Sequence, residues 1–96
     1  MGLSVYVENR IHERKHVRGA GASLERIIDR ATEGTIFSAI DQYGDTMFNS
    51  IQSAALIREL KLMRHGNADL DADIRAIETL ANEVVRTYGY IWVSGD

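Results

Sequence analysis

Leu3, Val5 and Val7 alternate with Ser4, Tyr6 and Glu8, the period-two pattern of a strand that buries one face. Leu24, Ile27, Ile28 and Ala31 then recur at helical spacing, with Ser23 placed as an N-cap and Gly34 as a C-terminal stop. This predicts a first helix over about residues 24–33. Thr35 to Ile40 is short, rich in β-branched residues and fenced by Gly34 and Asp41, so a second strand is expected there. Strand, helix and strand would form a β-α-β unit with parallel strands and a right-handed crossover.

Beyond it, Ile51, Ala55, Leu56, Leu60 and Met63 supply the core side of a helix from Ser50 to His65, closed by Gly66-Asn67. Leu70, Ile74, Ile77, Ala81, Val84 and Tyr88 form the cleanest stripe in the chain and predict a third helix, stopped by Gly89. Asp69, Asp71 and Asp73 crowd its start, where negative charge suits the helix dipole. Tyr90-Ile91-Trp92-Val93 reads as a last strand. The expected architecture is a single α+β (small α/β) domain over residues 1–96, ordered β-α-β-α-α-β, with a three-stranded sheet covered by helices mainly on one face.

Two connectors stand out. Residues 9–22 follow neither period; they read as a flexible basic segment with a Gly19-Ala20-Gly21-Ala22 tract, or as a short charged helix over Arg10 to Arg18. Residues 41–52 combine turn formers at Asp41 and Gly44-Asp45 with Asn49 and Gln52, three apart like a capping box built from amides. Loops held by rigid flanks are where binding residues concentrate. The candidate contact residues are therefore Arg10, Arg14, Lys15 and Arg18 in the first connector, and Gln42, Tyr43, Asp45, Thr46 and Asn49 in the second.

Composition narrows the function classes. The absence of cysteine excludes disulfides and thiolate chemistry, and fits a reducing, cytoplasmic setting. Residues 1–10 lack an apolar core of signal-peptide length, and no run approaches a membrane span, so no membrane role is expected. The net charge of −3 argues against a broad nucleic-acid footprint, and an acidic face would suit a cationic partner site. The 10–18 segment is locally positive and can meet a carboxylate-rich or phosphate-bearing partner.

One catalytic motif is present. His12-Glu13-Arg14-Lys15-His16 fits H-E-x-x-H, which on a helix stacks two imidazoles one turn apart for zinc, with the glutamate as general base. Arg14 and Lys15 at the variable positions oppose a nearby dication, and Ala22 stands where an extended zinc-peptidase pattern needs its third histidine. A zinc hydrolase using His12, Glu13 and His16 is thus the alternative reading; the leading one involves no cofactor.

Tyr43-Gly44-Asp45-Thr46-x-Phe48-Asn49-x-x-Gln52, together with Trp92-x-x-Gly95-Asp96, resembles a group of small bacterial soluble proteins. Their size and domain plan are similar to those of immunity proteins that neutralise a cognate toxin. The resemblance covers the C-terminal half and implies a binding role rather than an activity. The expected function is that of a neutralising or adaptor protein binding a protein partner, such as a toxin, through the 41–49 loop and the 10–18 segment. A homodimeric structural module that pairs exposed strands such as Leu3–Glu8 edge to edge is a further alternative.

Overall fold

The computed structural model describes residues 2–95 as a three-helix layer on a four-stranded antiparallel sheet. In chain order these are β1 (Leu3–Glu8), β2 (Arg14–His16), α1 (Ala20–Arg30), β3 (Asp45–Phe48), α2 (Ser50–Arg64), α3 (Asp71–Thr87) and β4 (Tyr90–Gly95). The sheet order is β2-β1-β4-β3. The α+β class and single helical layer match expectation, but the sheet has a fourth strand and contains no parallel pair. Among the described residues no helix is long and apolar enough to cross a membrane.

Val5 and Leu3 of β1, and Ile91 and Val93 of β4, join Leu24 and Ile27 of α1, Leu56 and Leu60 of α2, and Ile74, Ile77 and Val84 of α3 in one core. The predicted helix faces hold with two exceptions. Ile51 is exposed, because α2 turns Ser53, Leu56 and Leu60 inward and Ile51 falls outside that stripe. Tyr88 is also exposed: it is the left-handed C-cap of α3, where the chain has left the helical path.

Several local expectations fail, each for a physical reason. Residues 9–22 do not form a helix over Arg10 to Arg18. They form the β1–β2 hairpin and then the first turns of α1. Asn9 builds the hairpin turn: its side-chain Oδ1 accepts from the Ile11 and Glu13 N–H groups, and its side-chain Nδ2 donates to the Glu13 carboxylate. His12 takes the left-handed position of this three-residue loop at φ 64°, so no glycine announced it. Helix α1 begins earlier than predicted, after Gly19. Ser23 therefore lies inside it, and its hydroxyl serves α3 instead of capping α1.

Residues 35–40 are not a strand. Thr35 and Ser38 hydroxyls donate to backbone carbonyls three residues back, and the Glu59 carboxylate of α2 accepts from the Ile36 and Phe37 N–H groups at 2.7 and 3.3 Å. Local bonds and Glu59 thus take up the groups a ladder would use. Phe37–Ala39 is a single 3-10 turn that drives Phe37 and Ile40 into the core. The sheet position goes instead to Asp45–Phe48, which pairs with β4. Leu3–Glu8 lies between β2 and β4, so it is not an exposed edge of the kind the alternative homodimer reading took it for; the edges are β2 and β3.

Candidate functional site

The helices cover one face of the sheet, and strand alternation decides what stands on the other. Val5, Ile91 and Val93 point to the core, so Tyr6 and Glu8, with their register partners Trp92 and Tyr90 in β4, point away from it. Pairing of Tyr6 with His16 and of Glu8 with Arg14 places those β2 side chains on the same face. Met47, opposite Trp92, and Asp45, opposite Ser94, extend it to the far edge. The uncovered face therefore combines Tyr6, Tyr90 and Trp92 with Glu8, Arg14 and His16, and Met47 and Asp45 at the far edge.

These groups are tied together around Glu8. Its carboxylate is 6% exposed although it sits on the uncovered face. It accepts from His12 Nδ1 at 2.7 Å and from Arg14 Nη2 at 3.3 Å. The His12 bond, then the Arg14 contacts, hold Glu8 below the usual carboxylate range against the opposing effect of burial. The Trp92 indole N–H also favours the charged form, yet it stops short of hydrogen-bond geometry and has no partner among the described residues.

The Arg14 guanidinium, anchored by Glu8, lies 4.5 Å from the Trp92 ring centroid and 5.8 Å from that of Tyr6. The His12 ring stacks on Tyr90 at 6.0 Å, and the His16 ring tilts against Tyr6 at 5.2 Å. Arg14, His12 and His16 thus each lie against a neighbouring ring.

Both sequence-predicted segments are rims of this face. The hairpin forms one, presenting Arg10, with Ile11 at its tip 74% exposed, while Lys15, opposite core-side Val7, and Arg18 lie on the helical side beside α3. Residues 41–45 form the other. Asp41 accepts from the Tyr43 N–H at 2.8 Å, and the Gly95 N–H donates to the Gly44 carbonyl, fixing this turn to the end of β4. Gln42, Tyr43 and Asp45 are exposed, Tyr43 at 85%. Thr46 and Asn49 are less available. Thr46 pairs with core-facing Val93 and is half-buried, and Asn49 is spent in the predicted capping box with Gln52.

The H-E-x-x-H segment does not have the helical geometry that zinc ligation at this spacing requires. His12 is in the turn on Glu8, His16 is in β2 against Tyr6, and Glu13 is bound by the Asn9 amide. Among the described residues no group of three or more histidine and carboxylate side chains could hold a metal ion.

Part of the acidity expected on a free face is internally matched. Asp73 pairs with Arg26, Asp69 with Arg30, Glu78 with Arg64, Asp71 with Arg75 and Glu83 with Arg86, all in the helical layer or its connections. Sequence reasoning missed Tyr6, Tyr90 and Trp92 as surface groups. Their signal was present, since all three hold the outward positions of alternating strands. No family model matches the chain, and neither a curated protein nor a solved structure matches it.

Proposed function

We propose that this protein works by binding a protein partner through the uncovered sheet face and its two rims, as a neutralising or adaptor protein without catalysis of its own. The observation that carries this reading is the asymmetry of the sheet. Three helices bury one side, while the other carries the half-buried rings of Tyr6, Tyr90 and Trp92 around a guanidinium held by Glu8. Aromatic residues and arginine are the side chains that contribute most to protein interfaces, because they offer large contact area for little conformational entropy. Ile11, Tyr43 and Met47, all exposed, place apolar anchors at the rims and far edge of the same face. The resemblance to immunity proteins agrees with this reading and makes a toxin the first partner to seek.

The test is capture of a partner from the native cell, followed by reconstitution from the two purified proteins. Replacing Ile11, Tyr43 and Met47 together with serine should abolish the complex and leave the fold intact. Replacing Ile51 and Leu62 on the helical side with serine should not weaken it. A complex that survives the first set and is lost with the second would place recognition on the helices and end this proposal.

A further inference from the structure

We infer that β2 receives an extended acidic segment of the partner protein as an added strand, seated over the groove between the hairpin and α3. This rests on the partner-binding reading and adds the conformation and charge of what is bound. The first support is the free backbone of β2. Asn9 N–H donates to the Glu13 carbonyl, and Val17 N–H donates to the Val5 carbonyl. With Tyr6 opposite His16 and Glu8 opposite Arg14, the ladder bonds between them fall on Val7 and Lys15. The N–H and C=O groups of Arg14 and His16 therefore point away from β1, in the alignment a further strand would use.

The second support is the space beside that edge. A groove of about 640 Å³ runs between the hairpin and α3, with Val17 and Leu80 on its floor, Lys15 and Arg18 on the hairpin side, and Thr79 and Glu83 on the helix side. A strand laid along β2 would turn alternate side chains into this groove and the others toward Arg14 and His16. Edge strand beside helix, with an apolar floor between, is the arrangement that lets main-chain bonds give affinity and side-chain seats give selectivity.

Charge selects the occupant. Among the described residues Lys15 and Arg18 form no ion pair, whereas Glu83 across the groove is already held by Arg86. The seat is thus cationic. A second copy of β2 would bring Arg14-Lys15-His16 against itself, so the charges that deter self-pairing are the ones that favour an acidic strand.

The experiment uses the full-length protein, isotope-labelled for amide spectra, and a short end-capped peptide alternating glutamate with valine. Saturable shifts at the Arg14 and His16 amides are expected, and added salt should weaken them. Lys15→Glu with Arg18→Glu should cost about tenfold or more in affinity while leaving the amide spectrum well dispersed. A peptide alternating lysine with valine, and a glutamate peptide with its bonding amides N-methylated, should both fail to bind.

Equal binding of either control peptide, or no shift at those two amides with peptide in large excess, overturns strand addition. So does a shift that follows protein concentration alone, which would mean a second copy in the seat. A reconstituted natural partner that tolerates Lys15→Glu with Arg18→Glu, yet is released by the Ile11, Tyr43 and Met47 replacements, removes this mode and leaves the broader reading standing.

Discussion

The Ser23 hydroxyl of α1 donates to the Asp73 carboxylate of α3 at 2.9 Å, bridging two helices whose contact residues lie fifty positions apart. Arg26, one turn on from Ser23, grips the same carboxylate through Nε at 2.9 Å and Nη2 at 2.8 Å. Asp73 is 8% exposed, so its charge is tolerable only with these donors in place.

The Arg26 bonds, and then Ser23, hold the Asp73 carboxyl below its ordinary 3.8 against the opposing effect of burial. A carboxylate depressed in the folded state stabilises above its unfolded pKa, and that contribution is lost as pH falls through the folded value. Asp73→Asn should therefore lower stability at neutral pH and flatten the acid limb of the stability curve. Urea unfolding from neutral pH down to the acid transition checks both; a parallel loss at every pH would contradict the linkage.

Gly21 sits where α1 crosses β1, and a Cβ there would stand 1.8 Å from the Leu3 carbonyl oxygen. The obstruction is backbone, so no rotamer change can relieve it. Gly21→Ala should cost at least about 3 kcal/mol despite alanine's better helix propensity. Ala22→Gly, one position on and exposed, should cost only about 1 kcal/mol. Thermal unfolding of the pair separates steric closeness from helix propensity.

Two polar groups on α2 should respond in opposite directions. Ser53 is fully buried, and its hydroxyl has no hydrogen-bond partner among the described residues. Ser53→Ala should raise stability by about 1 kcal/mol, since an unpaired buried polar group is removed. Asn49 accepts from the Gln52 N–H at 2.8 Å while Gln52 accepts in return from the Asn49 N–H. Asn49→Ala should lower stability by about 1 kcal/mol. Denaturant midpoints at constant m-value read out both.

Trp92 is the single tryptophan and reports directly on the uncovered face. Arg14→Ala removes the guanidinium lying over it, and should shift its emission to longer wavelength and raise its accessibility to acrylamide. The stability loss should exceed the roughly 1 kcal/mol of an exposed cation–π contact, because Arg14 also donates to the nearly buried Glu8 carboxylate. Unchanged emission would mean that Arg14 does not shield the ring in solution.

Legibility in the sequence followed how local the determinants were. Leu3 to Glu8, the α2 and α3 stripes and the last strand could be read from period alone, because their own spacing fixes which side is buried. Residues 35–40 could not, since Glu59 on a later helix decides where their N–H groups go. The hairpin was hidden because His12, rather than a glycine, takes the left-handed turn position. β3 was hidden because its turn formers and cap crowd a four-residue strand. The rims were legible as turn and charge clusters, whereas the face between them depends on pairing partners that sequence spacing does not name.

β1 and β4 are neighbours at the middle of the sheet, although three helices separate them along the chain. During synthesis, the first hairpin must wait without its inner neighbour until the final strand has left the ribosome. The aromatic platform is consequently among the last parts to assemble, since Tyr90 and Trp92 arrive with β4.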